Sequence, residues 1–263
     1  MDPGPRSATS AALWAGWALC LTATLVPLPV TLTVLRVGGP AVAALAVWSA
    51  TVTDDVVHIV FGLLAGMLVM LSSFAAPVAD RFVDGASYGD ERRFLLRAPG
   101  PVVLVFGPLS TAVTLGGAAV GPLLLLHSRW VVGAVATAIG LPLAALLIRS
   151  LHRLTRRWIV LVPAGFVLHD HLALAEPTLI QRAGLDRIGG ADADTDARDF
   201  TQQSRGLALE VRCRQPHDVL PVGSRGGTEV PVSEVQAVEA FLCSPARPDV
   251  VLAEAARRRL PVG

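Results

Sequence analysis

Apolar and polar positions divide the chain in two. Before Arg149 the apolar runs are long and charges are sparse, and beyond it short alternating patterns and charged residues take over. A helix needs about 20 mostly apolar residues to cross the hydrocarbon of a bilayer. Four stretches satisfy this, 11–35, 56–78, 101–126 and 130–148. They are bounded by Arg36 with Gly38-Gly39-Pro40, by Asp54-Asp55, by Asp80-Arg81, by Arg129 and by Arg149. Segment 41–53 is apolar but, at 13 residues, too short to span by itself. It reads as an interfacial or partly re-entrant piece, with a fifth span as the alternative. The pattern therefore predicts a four-span α-helical transmembrane bundle over 1–149 and a soluble domain over 150–263.

Inside the bundle, Gly62-x-x-x-Gly66, Gly117-x-x-x-Gly121, Ala136-x-x-x-Gly140 and Ala12-x-x-x-Gly16 put small residues one turn apart. That spacing lets helix backbones approach closely in lipid, so Gly62, Gly66, Gly117 and Gly121 are the candidate packing positions. Pro27, Pro29, Pro108, Pro122 and Pro142 fall in or near the spans, and each removes a backbone donor. With Arg36 placed at a boundary, no acidic or basic residue sits mid-span. This argues against a pump or secondary transporter, whose ion sites need such groups.

After the spans the period changes. Trp158–Pro163 and Phe166–Leu168 flank Ala164-Gly165 as a strand pair around a tight turn. Leu207, Leu209, Val211 and Cys213 alternate with Ala208, Glu210, Arg212 and Arg214 as a half-buried strand. Shorter strand candidates are 172–175, 179–182, 219–222 and 229–232, while Gly189-Gly190 and Gly226-Gly227 read as turns. Ser233–Leu242 and Pro248–Arg259 have helical spacing, with Pro248 suited to a first turn and Arg257, Arg258 and Arg259 to a last one. The arrangement over 156–259, an Arg-rich exit, then RRWIVLVPAGFVLHD, further strands and the helix PDVVLAEAARRR, resembles the PH-like domains carried by bacterial membrane proteins. The resemblance implies a β-rich α+β fold and a role in interaction or assembly rather than catalysis. The alternative is an unrelated α+β domain of similar size.

Composition sharpens this picture. Hydrophobic residues make up 52% of the 263, and the mean hydropathy of +0.56 is too apolar for an ordinary soluble protein. All 22 basic residues are Arg, and with abundant Ala, Gly, Val, Leu and Pro the usage resembles that of a GC-rich, actinobacterial-type genome. A net charge of +1 without a basic tail leaves nucleic acid without an electrostatic footprint. Cys20, Cys213 and Cys243 are odd in number and scattered, which suits a reducing compartment better than a disulfide framework. Arg81, Arg92, Arg93 and Arg97 in the 79–100 loop, and Arg149, Arg153, Arg156 and Arg157 after the last span, place both segments in the cytoplasm of a plasma-membrane protein. Four spans put the N-terminus there too; five would put it outside.

Candidate chemistry is thin. Asp54, Asp55 and His58 share a helical face at the entrance of the second span, a carboxylate–imidazole arrangement that suits a partial metal site or, more simply, a helix cap. His169-Asp170-His171 places two imidazoles on one face of a strand end without a third ligand. Asp192, Asp194, Asp196 and Asp199 resemble the start of a calcium loop, but Ala197 and Gln203 stand where Gly and Glu are needed. Arg153, Arg156, Arg157 and Trp158 are candidates for lipid head-group contact. No Walker, Gly-x-Ser-x-Gly, His-Glu-x-x-His or kinase motif occurs, and no cofactor is implied. The expected function is that of a non-enzymatic membrane protein whose cytoplasmic domain is an interaction or regulatory module, with the bilayer and a protein partner or second copy as partners. Two alternatives are a structural subunit of a transporter or membrane-enzyme complex, and a metal-dependent membrane enzyme built on Asp54, Asp55 and His58.

Overall fold

The computed structural model describes residues 3–52, 54–225, 228–231 and 235–263, with side chains at 14–51, 54–222 and 235–263. The chain forms two compact units, a helical bundle of Met1–Gly85 with Val105–Arg153 and a soluble body of Ala86–Leu104 with Leu154–Gly263.

The bundle holds α1 (Pro3–Leu25), α2 (Pro29–Val52), α3 (Val56–Phe74), α4 (Ala76–Asp84), α5 (Gly107–Leu126) and α6 (Trp130–Leu154), with a π-helical turn at Val102–Phe106 leading into α5. Four of its helical segments are long and apolar enough to cross a membrane, Pro29–Thr51, Val56–Phe74, Val102–Leu126 and Trp130–Leu154. Within α1 the described apolar stretch is Trp14–Leu25.

The first expected span, 11–35, is corrected. The helix breaks at 26–28, where Pro27 and Pro29 lack the amides a continuing helix needs. α2 restarts with Pro29 in its first turn, and Thr31 Oγ1 accepts the Leu28 N–H at 2.9 Å, as a third-position side chain does in a capping box. The helix then runs through Gly38-Gly39-Pro40, so residues 41–52 are its second half rather than an interfacial piece, and Thr53 lies outside the described residues. Proline inside a lipid-facing helix is tolerated because neighbouring groups re-satisfy the freed carbonyl. Expected span 56–78 likewise ends at Phe74, since extended Ala75 and Pro77 start the amphipathic α4.

Leu64, Met67, Leu68, Val131 and Ile139 of the bundle are exposed. Close helix approaches fall on small residues. A Cβ on Gly66 of α3 would lie 2.9 Å from the Ala46 Cβ of α2. One on Gly117 of α5 would lie 2.8 Å from the Gly140 carbonyl oxygen of α6, and one on Gly121 would strike Thr137.

The soluble body contains two four-stranded sheets. The first, in spatial order, joins β1 (Arg92–Leu95), β2 (Trp158–Val162), β3 (Gly165–His169) and β4 (Thr178–Gln181), all antiparallel. The tight β2–β3 turn needs Gly165, at φ +153°, where a Cβ would meet the Ile180 carbonyl oxygen. The second sheet has β5 (Leu185–Gly190), β6 (Arg198–Asp199), β7 (Leu209–Val219) and β10 (Gln236–Cys243) in the order β5-β7-β10-β6, with β6 parallel to β10. A separate hairpin pairs β8 (Val222–Arg225) with β9 (Thr228–Pro231), and α7 (Pro248–Arg257) follows β10. Phe94, Ile159, Leu161, Phe166, Ile188 and Phe241 are all at most 2% exposed and centre one core.

Several expectations change here. Ser233–Leu242 is not helical where it is described; Gln236–Cys243 is strand, because pairing with β7 overrides a spacing that also fits a helix. Gly189-Gly190 ends β5 instead of turning, and 172–175 contributes only an isolated bridge at Leu174. Gly226-Gly227 lies outside the described residues. The soluble body is also not confined to 150–263. It takes in 86–104, whose strand β1 buries Phe94 and Leu95 in spite of its two arginines.

Candidate functional site

How the inter-helix loop joins the tail determines which surfaces remain available. β1 pairs with β2, placing Phe94 opposite Ile159. Just past β1, the Leu96 N–H donates to the Arg157 carbonyl at 3.0 Å and the Arg97 N–H to the Ser244 carbonyl at 2.8 Å. On the other side the Ala246 N–H donates to the Leu95 carbonyl at 2.8 Å. The loop is thus stitched from both sides. Arg157 locks this junction: its Nε and Nη2 donate to the two carboxylate oxygens of Asp170, each at 2.7 Å, and its Nη1 donates to the Arg97 carbonyl at 3.0 Å. The Arg157 and Asp170 side chains are 1% and 0% exposed. Asp170 Oδ1 also accepts the Leu172 N–H at 3.0 Å.

This reassigns two sequence candidates. Arg157 is turned inward and is not a lipid head-group contact, because a guanidinium needs a buried counter-charge once desolvated. Trp158 is half-buried, stacked on the His169 ring at 4.8 Å with the Arg93 guanidinium 5.3 Å from its centroid. Arg153 and Arg156 are exposed. In the 169–171 triplet the central Asp170 points into the core, and His169 faces Trp158 and the Arg156 carbonyl.

A groove of the body borders β10. β7 pairs along one edge of this strand, with a register break between Val238 and Ala240. On its other edge β6 reaches only Phe241 and Leu242. Among the described residues no strand pairs with 236–240 on that edge. A groove of about 260 Å³ lies there, lined by Gln236–Ala240, by Asp196, Ala197 and Arg198 of the segment entering β6, and by Arg212 of β7. The wall is held by Glu210, which accepts from Thr195 Oγ1 at 2.7 Å and from Arg212 Nη2 at 2.7 Å. The Thr195 hydroxyl, and then Arg212, hold the Glu210 carboxyl below the usual carboxylate range against the opposing effect of burial. Ala237 and Glu239 are exposed, while Val238 and Ala240 are buried. The aspartate-rich loop over 192–199 therefore frames a groove, and Asp199 bonds the Thr201 N–H at 2.7 Å.

Asp55 is the N-cap of α3. Its Oδ1 accepts the Val57 and His58 N–H groups at 2.9 and 3.3 Å, and its Oδ2 lies 2.6 Å from His58 Nδ1. The hydrogen bond from His58 holds its carboxyl below the ordinary range. Among the described residues no three His, Cys, Asp or Glu side chains come together as a metal site. Cys213 and Cys243 are buried free thiols, and burial pushes both upward in pKa, away from thiolate chemistry. Of the packing candidates, Gly66, Gly117 and Gly121 sit at close helix approaches, whereas a Cβ on Gly62 would meet nothing within 4 Å.

Arg36, which the sequence places at a span boundary, lies inside an apolar helical segment. It stands at the eighth position of α2. Its guanidinium carbon is 5.9 Å from the Phe74 ring centroid. Nearby, Thr33 Oγ1 and His152 Nδ1 are 2.8 Å apart and tie α2 to α6. The reading that no charge lies within the spans is therefore corrected. No protein-family model, curated protein or solved structure matches the chain.

Proposed function

We propose that this chain is a non-enzymatic, multi-pass plasma-membrane protein whose soluble body faces the cytoplasm and serves as an interaction or regulatory module. The observation that carries the reading is the groove beside 236–240, an edge of β10 that no strand among the described residues pairs beyond β6. Unpaired strand edges are templates for another chain, and proteins normally cover or charge them. An extended segment of a partner laid along 236–240 gains main-chain hydrogen bonds, while Ala237, Glu239 and Arg198 contribute side-chain selectivity. Two mainly antiparallel four-stranded sheets followed by a C-terminal helix support a PH-like reading of the body.

The cytoplasmic assignment draws on two supports. Strand pairing between β1 and β2 requires the 86–104 loop and the tail to lie on one side, which fits α5 and α6 crossing as a hairpin. Both segments are rich in Arg, the signature of the cytoplasmic face.

Tail deletion is a poor test, since it would strip β1 of its partner and expose Phe94 and Leu96. Site-specific photo-crosslinking in cells is better. A photoreactive residue at Ala237 is expected to capture a discrete protein, and capture is expected to fall when Arg198→Glu is added. The same residue at exposed Arg259 serves as the control. Identical crosslinking patterns from the two positions would overturn the proposal.

A further inference from the structure

We propose that Arg36 binds the phosphate of an anionic phospholipid in the leaflet where α2 begins. Its Nε is fully enclosed without a hydrogen-bond acceptor, and no hydrogen bond or ion pair joins its guanidinium to any described residue. Its guanidinium carbon lies 5.9 Å from the centroid of the Phe74 ring. Asp80 and Asp84 of α4 each make an interaction of their own, and no ion pair links either to Arg36 among the described residues. Thr33, one turn before Arg36, is committed to His152 and to the Pro29 carbonyl at 3.2 Å. An arginine cannot shed its proton to escape an apolar site, so the charge needs an anion from outside the chain.

Depth selects the anion. Arg36 lies about 10 Å along the axis from the first residue of α2 at the standard helical rise. Its side chain leans toward the helix N-terminus, as every helical side chain does, and long basic chains extend their charge to the interface. The guanidinium is thereby carried to the level of lipid phosphates rather than the bilayer centre. The same end of the bundle carries exposed Arg81, Arg149 and Arg153, a basic collar that attracts anionic lipid. A phosphate presents the planar guanidinium with paired acceptor oxygens.

The test is native mass spectrometry of the full chain released from detergent with equimolar phosphatidylglycerol and phosphatidylcholine. The wild-type protein is expected to retain one phosphatidylglycerol at activation energies that strip phosphatidylcholine. Arg36→Met, which replaces a buried charge by an apolar chain and is expected to fold, should lower that retention about fivefold. Arg153→Gln, at an exposed position of the same end, should leave it unchanged. Excess inorganic phosphate should not displace the lipid; displacement would identify a free-anion site and overturn the lipid assignment. Equal retention of the two lipids by the wild type would overturn it as well, whether or not the Arg36 variant folds. So would a dimer lost in Arg36→Met, which would assign the counter-charge to a second copy.

Discussion

In the bundle, Leu64, Met67, Val131 and Ile139 are exposed, and close helix approaches fall at Gly66, Ala46, Gly117 and Gly140. In the soluble body the order is reversed: Ile159, Leu161, Phe166 and Phe241 fill the centre. The difference follows from the solvent. Lipid tails are as apolar as leucine, so helices in a bilayer gain little by hiding large side chains and gain most by bringing backbones together. Water drives the large side chains of the body inward, by about 25 cal/mol for each Å² of apolar surface removed.

Polar groups separate the two regions as well. The buried Arg157 of the body has a complete set of partners, whereas Arg36 of the bundle has an aromatic ring. The largest effect is therefore expected at Asp170. Asp170→Ala leaves Arg157 enclosed without a counter-charge and should destabilise the body by about 3–5 kcal/mol. Thermal unfolding and limited proteolysis of the full chain would show it. The double variant Arg157→Met with Asp170→Leu should recover most of the loss, and failure to recover would mean that the pair does more than satisfy itself.

Truncations to alanine in the two regions put the contrast under direct strain. Phe166→Ala should cost about 3–5 kcal/mol through the cavity it leaves. Leu64→Ala, on a face open to lipid, should stay within about 0.5 kcal/mol. Comparable losses at the two sites would remove the distinction. Next in size, Gly121→Leu drives a side chain into Thr137 and should cost about 1–3 kcal/mol, read as a lower melting temperature in detergent. Gly62→Leu should be close to neutral, because nothing lies within 4 Å of its Cβ position.

The smallest of the expected losses concerns pH. Glu254 accepts from Arg257 Nη2 and Arg258 Nε, each at 2.6 Å, and these arginines, Arg257 foremost, hold its carboxyl down to about 2. A carboxyl depressed in the folded state stabilises fully above its unfolded value of 4.5, and that stabilisation fades as pH falls toward 2. With Arg257 largely exposed and screened, the contribution is on the order of 1–2 kcal/mol. Glu254→Gln should flatten the acid limb of a stability-against-pH curve between those values and leave neutral stability reduced.

How far these features could be read from sequence depended on how local their causes were. The hairpin β2–β3 is written in WIVLVPAGFVL, where β-branched residues flank a glycine, and its strands fall within a residue or two of expectation. The helices after residue 100 are marked by apolar length alone. The misses are cases in which a distant partner decides. RRFL has the look of a charged loop, and only β2, more than sixty residues later, makes it a strand. The apolar positions of 235–242 fit a helix as well as a strand until β7 is placed alongside. Gly38-Gly39-Pro40 would end a helix in water, yet α2 continues through it, and Arg36 was hidden by that misreading. The β10 groove had no sequence signal, since it arises where β6 stops short.

The stitching of β1 also has a consequence for how the protein is made. As the ribosome delivers the chain, Phe94 and Leu96 emerge well before Ile159 and Leu161 and have no sheet to join. The body closes only after α5 and α6 have entered the membrane as a pair and returned the chain to the side it left. A chain that inserts one of them and not the other carries an open core and an unpaired strand, the kind of surface that cellular proteases and chaperones recognise. Completion of the sheet thus requires that both helices have been inserted.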